Sequence, residues 1–227
     1  MKIMLFCKKT SFCDYAVKIL QSYFSEEEIK VVRGDGSTKL DEELSWYQPE
    51  YIISFLSPWI IPQCLLDIAQ KDAINFHPGS PDYPGSGCYN FAIYEGSQQY
   101  GVVCHHMEKS VDTGKMVSTS YFDISPYETV ETLKLKSMNH LLYIFEKVIN
   151  EIYVNDTLPK SKEKWTRVPF TKKQLDELCE IDPITMDQKE IDLRIRATDY
   201  NSAYKSAYFK IDEKKHYIAS SMKEPIV

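Results

Sequence analysis

Glycine is scarce in this sequence, with 8 among 227 residues. The first β-type run, residues 2–7, continues into CKKTSFCDYA without a glycine. The glycine-rich turn that places a pyrophosphate at a helix N-terminus is therefore missing. This absence excludes a dehydrogenase of the Rossmann type.

Long hydrophobic runs and an excess of basic residues are also lacking. The N-terminal apolar run covers residues 3–7 and is followed by Lys8 and Lys9, which is too short for the apolar core of a signal peptide. No stretch has the apolar length of a membrane-spanning helix. The 27 Lys and Arg against 33 Asp and Glu give a net charge of -6, so binding through neutralised phosphates is not expected. We expect a cytoplasmic protein with no membrane partner and no nucleic-acid partner.

The cysteines provide neither a disulfide framework nor a metal site. The six cysteines are scattered and none lies in a CxxC motif, which favours reduced thiols in a cytosolic protein. Cys104, His105 and His106 are consecutive in a β-type run, so their side chains alternate between opposite faces and cannot all bind one ion. We therefore expect no metal.

Short β-type runs that alternate with helical patterns predict the fold class. The helical patterns show apolar residues at helical spacing between the runs. The β-type runs cover residues 2–7, 29–32, 51–56, 73–76, 101–107 and 116–124. This order is typical of an α/β protein with an open, mostly parallel twisted sheet and helices on both faces.

Capping motifs indicate how the second half of the chain is organised. Ser125 and Glu128 form a capping box with Pro126 at the first helical position, which predicts a long helix over residues 126–154. The polar segment 155–164 then reads as a surface connection. We predict a main domain over residues 1–155 and a C-terminal extension over residues 156–227.

The extension is predicted to contain two short helices and a hairpin. Thr171 with Gln174 and Asp187 with Glu190 are N-terminal capping patterns, and the second helix should end near Ala197. Two strand-like halves around Asp212 and Glu213 predict a terminal β-hairpin over residues 208–219. The extension has 14 Lys and Arg against 13 Asp and Glu, so it is not a basic nucleic-acid arm.

Three polar residues could form a site at one edge of this sheet. Asn75 and His77 are two residues apart at the end of a buried strand, so both side chains project to one side at its carboxyl end, where open α/β sheets bind ligands. An amide and an imidazole there can stabilise an oxygen that becomes negative in acyl transfer. Asp112, in the VDTG segment, could hydrogen-bond His77 and fix its tautomer. Each residue could instead have a purely structural role: Asn75 could cap a turn, His77 could be a hydrogen-bonded loop histidine, and Asp112 could belong to a turn that Asp-Thr-Gly favours.

Several motifs in fixed order resemble the 10-formyltetrahydrofolate-dependent formyltransferase family. They are N-x-H-P at residues 75–78, a proline and glycine loop that closes at Gly85, the aromatic segment CYNFAIYEG, then YGVVCHHM and VDTG. The resemblance extends over most of residues 50–125. It implies the formyltransferase fold, a catalytic main domain, and transfer of a formyl group from 10-formyltetrahydrofolate to a primary amine. The family's catalytic trio falls on Asn75, His77 and Asp112.

The resemblance also implies where the two ligands bind. The folate is expected in a cleft formed by the segments 55–62 and 107–114, which include Phe55, Leu56, Trp59, Ile60, Met107 and Val111. Core packing is the alternative for Trp59 and Ile60. The acceptor is expected near Gly79, Ser80, Tyr83 and Gly85. This loop departs from the common N-x-H-P-S-L-L-P pattern, because Ser80 and Pro81 replace the leucine pair and the loop is one residue shorter.

The C-terminal segment indicates which amine is used. Residues 194–211, RIRATDYNSAYKSAYFKI, are similar to a segment of nucleotide-amino-sugar N-formyltransferases, whose C-terminal hairpin commonly pairs two subunits. This implies a homodimer and a nucleotide-linked amino dideoxysugar, foremost dTDP-4-amino-4,6-dideoxyglucose for O-antigen or other surface glycans. The alternatives are GDP-perosamine, glycinamide ribonucleotide, hydrolysis of the same cofactor, or a folate-binding or sugar-binding protein without catalysis. Family members that act on tRNA carry a further basic domain, and hydrolases a further N-terminal one, neither of which is expected here.

Overall fold

The computed structural model describes residues 1–199 and 206–218. Its central sheet contains β1 (Ile3–Lys8), β2 (Ile29–Gly34), β3 (Tyr51–Phe55), β4 (Asp72–His77), β5 (Gln99–His106) and β6 (Met116–Asp123), in the spatial order β2-β1-β3-β4-β5-β6. The strands β1 to β4 pair in parallel, whereas β5 is antiparallel to both β4 and β6. The open, mostly parallel sheet predicted from the sequence is thereby confirmed.

Six helices accompany the sheet in the described residues. They are α1 (Ser11–Tyr23), α2 (Gln63–Leu66), α3 (Cys88–Tyr94), α4 (Val130–Asn155), α5 (Lys172–Cys179) and α6 (Gln188–Thr198). Helices α1 and α4 cover one face of the sheet, and α2 with neighbouring loops covers the other. None of the helices described has the length and apolar composition needed to cross a membrane.

Alternation along the strands divides the core between the two faces. In β3, Phe55 points towards α4, while Ile52 points to the opposite face, because successive side chains of a strand alternate. Phe145 of α4 packs edge to face on Phe55 and Phe76, with ring centroids 5.0 Å and 4.9 Å apart. Such aromatic contacts add to the free energy gained by burying the rings.

The long helix starts later than the sequence predicts. Helix α4 begins at Val130, where Thr129 and Thr132 form a reciprocal capping box. The upstream motif is also made, because the hydroxyl of Ser125 accepts the N–H of Tyr127 at 3.2 Å, but it closes a turn that lies before the helix. The chain thus has two capping motifs four residues apart, and the helix begins at the second one.

The C-terminal extension contains the predicted elements. Thr171 and Gln174 cap α5 with a complete capping box, and Asp187 accepts the N–H of Glu190 at the start of α6. The strands β7 (Tyr208–Ile211) and β8 (Lys214–Tyr217) form an antiparallel hairpin. Asp212 and Glu213 both have positive φ at its turn, as a two-residue hairpin loop requires. The predicted hairpin reached Ala219, which lies outside the described residues.

Candidate active site

A cavity of about 510 Å³ opens at the carboxyl edge of the parallel strands. Its lining includes Lys8 at the end of β1, Leu56 after β3, and His77 at the end of β4. This is the edge at which open α/β sheets bind ligands. Asn75 and Asp112 also line the cavity, so the structure brings the three predicted polar residues to one place.

A single buried carboxylate connects the polar groups of the site. Asp112 is 5% exposed, and its Oδ2 lies 3.2 Å from His77 Nδ1. Its other oxygen, Oδ1, lies 3.2 Å from Nε2 of a second histidine, His105. The backbone N–H of Gly85 donates to Oδ2 at 2.9 Å. Each carboxylate oxygen therefore faces one imidazole ring.

His105 is the residue of the site that sequence reasoning missed. It pairs with Asn75 across the antiparallel strands β4 and β5, and its Nε2 lies 3.1 Å from Asn75 Nδ2. Its Nδ1 donates to the backbone carbonyl of His106 at 2.8 Å. His106 points to the opposite face and contacts Asp72 at 2.7 Å. Only the register of β4 against β5 could have placed His105 beside Asn75.

Opposing influences act on the Asp112 carboxyl. Burial raises its pKa, because an ion is poorly solvated in the interior. The charge of His77, together with the hydrogen bonds from His105 and the Gly85 N–H, outweighs burial and leaves the pKa of Asp112 below its ordinary value. The side chain is therefore an anion at neutral pH, held against two imidazoles in a nearly water-free setting.

The loop after β4 positions His77 from its other side. His77 Nε2 lies 3.1 Å from the backbone carbonyl of Tyr83. A Cβ at Gly79 would lie 2.5 Å from His77 Nε2 and 2.7 Å from that carbonyl, so the close approach requires glycine. The loop therefore supplies an acceptor for His77 and leaves no space beside the ring.

The expected acceptor residues divide into two groups. Gly85 lines the cavity, as expected. Ser80 and Tyr83 do not line it and are 1% and 4% exposed; the Tyr83 hydroxyl donates to Glu95 at 3.1 Å. Gly79 lies behind the His77 ring. These three residues therefore shape the loop: the side chains of Ser80 and Tyr83 turn inward, and Gly79 allows the close approach to His77.

The expected folate residues lie mostly where predicted. Leu56, Trp59, Ile60, Met107 and Val111 all line the cavity. The structure places Phe55 elsewhere: it is fully buried between the sheet and α4. Leu56 and Ser54 flank it and do line the cavity, so strand alternation directs the Phe55 ring to the core.

Trp59 lines the cavity, and contacts with Thr38 and Gly34 fix the position of its indole. Its indole N–H donates to the carbonyl of Thr38 at 2.8 Å. The ring lies over Gly34 at the end of β2, where a Cβ would come within 2.4 Å of two ring carbons. Trp59 therefore packs against the end of β2 and lines the cavity at the same time.

A segment between α4 and α5 returns to the site. We call residues 163–170 the strap. Pro169 and Phe170 line the cavity, and Phe170 stacks on Phe91 with ring centroids 3.8 Å apart. Arg167 makes two hydrogen bonds to Glu95, at 2.7 Å and 3.1 Å. The predicted surface connection ends at Lys164, and the sequence carries no local signal that residues 165–170 return to the site.

The described residues contain no group of three or more His, Cys, Asp and Glu side chains arranged to hold a metal ion. The polar groups that converge at the end of β4 are instead an amide, two imidazoles and one carboxylate, of Asn75, His77, His105 and Asp112. Such a set can bind a developing oxyanion and move a proton.

Comparison with protein families identifies the relatives of this chain. Residues 4–145 match the family model described as formyl transferase. The chain belongs to the formyl transferase family. This confirms the resemblance inferred from the motifs.

Two relatives illustrate the range of the formyl transferases that match. A methionyl-tRNA formyltransferase of Desulforamulus reducens is 31% identical over 130 residues, which cover 56% of this chain and 41% of the relative. A GDP-perosamine N-formyltransferase of Brucella melitensis is 26% identical over 179 residues, which cover 77% of this chain and 66% of the relative. The chain thus spans less than two thirds of the length of either relative.

Solved structures of the same fold match over nearly the whole chain. A 4-N formyltransferase from Francisella tularensis has a TM-score of 0.77 at 17% identity, with 99% of both chains covered. A sugar N-formyltransferase from a Shewanella species has a TM-score of 0.75 at 16% identity, with 97% of both covered. An N-formyltransferase from Helicobacter canadensis, in complex with folinic acid and dTDP-3-aminofucose, has a TM-score of 0.73 at 18% identity and covers 95% of this chain and 86% of that one. The formyltransferase fold is confirmed, including its C-terminal hairpin.

Proposed function

We propose that this protein transfers a formyl group from 10-formyltetrahydrofolate to the primary amine of a nucleotide-linked amino sugar. The observation that carries the proposal is the Asp112 carboxylate, which faces His77 and His105 with one oxygen each, beside the Asn75 amide. Family membership over residues 4–145 supports formyl transfer as the chemistry.

The cavity suits a flat folate with an ionised tail. Its volume of about 510 Å³ lies within the range of about 300 to 1,000 Å³ that is common for small-molecule sites. Leu56, Trp59, Ile60 and Met107 offer apolar contacts, while Lys8 and Lys172 also line the cavity and can pair with carboxylates. When bound, 10-formyltetrahydrofolate supplies the electrophilic formyl carbon.

The polar residues can stabilise the oxygen that becomes negative when the amine attacks. The Asn75 amide is a neutral donor that faces the cavity. His77 in its doubly protonated form donates to Asp112 Oδ2 and to the Tyr83 carbonyl, which lie 3.2 Å and 3.1 Å from its nitrogens. Its positive charge then lies next to the reacting oxygen. Fixed donors and charges of this kind need no reorganisation during the reaction.

The same residues can move the proton that the amine loses on acylation. The new C–N bond leaves a positively charged nitrogen that must give up a proton, and the old bond from the formyl carbon to the donor nitrogen must break with a proton delivered to that leaving nitrogen. Protonated His77 can give a proton to that leaving nitrogen and then, as the neutral ring, take the proton of the amine, while the Asp112 anion stays beside it throughout. We assign the catalytic roles to Asn75, His77 and Asp112, and a positioning role to His105.

The acceptor is best explained as a nucleotide-linked amino sugar. The support comes from whole-chain likeness to sugar N-formyltransferases, one of them in complex with dTDP-3-aminofucose. We propose dTDP-4-amino-4,6-dideoxyglucose, in a cytoplasmic step of surface glycan synthesis. GDP-perosamine is the second candidate, because the relative with that activity matches over 77% of this chain. We also propose that the β7–β8 hairpin pairs two subunits, which light scattering of wild-type and hairpin variants would test.

An acceptor panel tests the proposed function. The purified protein is incubated with 10-formyltetrahydrofolate and, separately, dTDP-4-amino-4,6-dideoxyglucose, GDP-perosamine, glycinamide ribonucleotide, methionyl-tRNA or no acceptor. The expected result is rapid release of tetrahydrofolate with one amino sugar only. Release without an acceptor would mean a hydrolase, and release with methionyl-tRNA or glycinamide ribonucleotide alone would overturn the sugar assignment.

A further inference from the structure

One aromatic side chain of the strap, Trp165, contacts both histidines of the site and the end of the loop that carries Asp112. The Trp165 indole stands edge to face against His105, with ring centroids 5.2 Å apart and an interplanar angle of 79°. It makes a similar contact with His77 at 5.9 Å and 72°. Trp165 is not among the residues that line the described cavity. It therefore lies behind the two rings.

The same indole also fixes the loop that carries the carboxylate. Trp165 Nε1 donates to the backbone carbonyl of Gly114 at 2.8 Å, two residues after Asp112. Asp112 itself has a φ of 50°, a left-handed conformation that is costly outside glycine and needs support from its surroundings. One side chain thus contacts both histidines and the end of the aspartate loop.

Side-chain hydrogen bonds hold the part of the strap that follows Trp165. On its C-terminal side, Thr166 donates to Asp82 at 2.6 Å, and Arg167 pairs with Glu95 through two hydrogen bonds. The Arg167 guanidinium also lies over the Tyr83 ring, 5.2 Å from its centroid. Tyr83 provides the carbonyl that faces His77, so the strap supports both flanks of that imidazole.

We propose that Trp165 is a positioning residue that keeps the rings of His77 and His105 on the two oxygens of Asp112. This inference rests on the proposed formyl transfer. Each ring has one nitrogen near Asp112 at 3.2 Å and the other on a backbone carbonyl, Tyr83 for His77 and His106 for His105, but contacts at the long end of the hydrogen-bond range still leave a small rotation about the last side-chain bond open. A perpendicular indole against both rings blocks it.

Steady-state kinetics and ring-nitrogen NMR test the proposal together. Trp165→Leu should lower kcat at least about tenfold, because small displacements of catalytic groups cost large factors in rate, while the KM for each ligand changes less than about twofold. Trp165→Phe keeps an aromatic wall but loses the N–H, and should recover kcat to within about fivefold of wild type. Trp46→Leu is the matched control, since Trp46 is 77% exposed, and it should leave kcat and KM unchanged.

The NMR measurement needs no substrate, which separates the inference from the proposed function. The ring-nitrogen shifts of His77 and His105, assigned with His→Gln variants, should change in Trp165→Leu and stay unchanged in Trp46→Leu. A folded Trp165→Leu with wild-type kcat, or with unchanged ring-nitrogen shifts, would overturn the positioning role. If Trp165→Leu does not fold, Trp165→Met replaces it, and unchanged shifts of both rings in that variant would overturn the proposal. A wild-type protein inactive with every acceptor would refute the proposed function, while the shifts would still decide the role of Trp165.

Discussion

Asn75 and His105 lie opposite each other on antiparallel strands, with Asn75 Nδ2 3.1 Å from His105 Nε2. The same Nε2 lies 3.2 Å from Asp112 Oδ1. His105 thus links two of the three residues that the motifs place in the catalytic trio. The Asn75 amide is held against an imidazole that lies within the YGVVCHHM motif but that the motif does not mark as part of the trio.

Replacing His105 should slow the reaction without removing ligand binding. In His105→Gln, Asn75 and Asp112 lose their shared partner, so the amide donor is no longer fixed. We expect kcat to fall by about 10-fold to 100-fold, the range that misplaced catalytic groups cost, with little change in KM. His106→Gln is the control, because His106 points to the other face and pairs with Asp72; an equal loss in both variants would contradict the account.

Asp112 should make stability depend on pH in a defined direction. Its folded-state pKa is below the ordinary value, and the unfolded value is about 3.9. A lowered pKa means that the carboxylate contributes stability above about pH 4 and loses it as the pH falls through the folded-state pKa.

The variant Asp112→Asn measures that contribution. At neutral pH it should be less stable than wild type by about 2 kcal/mol, because charged hydrogen bonds to both histidines are lost. Urea unfolding at about pH 7 and about pH 3 should show this difference shrinking at the lower pH. A difference that is constant across this range, or a more stable variant at neutral pH, would show that the carboxylate is not stabilised as described.

A methyl group at Gly34 should disturb the cavity from a distance. The added Cβ would come within 2.4 Å of the Trp59 ring, which must then move from its place in the cavity wall. We expect Gly34→Ala to raise the KM for 10-formyltetrahydrofolate at least about fivefold, the equivalent of about 1 kcal/mol of lost contact, with kcat nearly unchanged. Gly96→Ala places its Cβ in open space, with no neighbouring atom within 4 Å, so although its φ of 66° makes the variant less stable, it should leave that KM at the wild-type value.

Phe55 should matter for stability and not for folate binding. Its ring is buried against Phe76 and Phe145, so Phe55→Leu should lower the free energy of unfolding by about 1 to 3 kcal/mol. The KM for 10-formyltetrahydrofolate should stay within about twofold of wild type. A large rise in this KM in a stable variant would contradict the account and show that Phe55 contributes to folate binding.

The sequence predicted the sheet from local signals, and it predicted the polar trio from the resemblance carried by several motifs in fixed order. Because side chains alternate along a strand, the spacing of Asn75 and His77 is enough to place both on one side. The caps at Thr171 and Asp187 use residues within one turn of the helix. The start of α4 was predicted four residues too early, because two consecutive capping motifs carry the same local signal.

The remaining features depend on contacts between distant segments. His105 reaches Asn75 only through the register of β4 and β5, and Trp165 reaches Gly114 across 51 positions of the chain. The inward orientation of Ser80 and Tyr83 depends on how the short loop packs against Glu95 and the strap. No spacing rule within a single segment predicts these contacts.

The central claim is that an amide, two imidazoles and one carboxylate transfer a formyl group to an amine. Its most direct test compares amine-dependent release of tetrahydrofolate by wild type and Asn75→Ala, with folding of both verified by circular dichroism. The account predicts turnover by the wild type and a loss of at least about a hundredfold in Asn75→Ala, the usual effect of removing one oxyanion donor. Turnover by Asn75→Ala at the wild-type rate would contradict it.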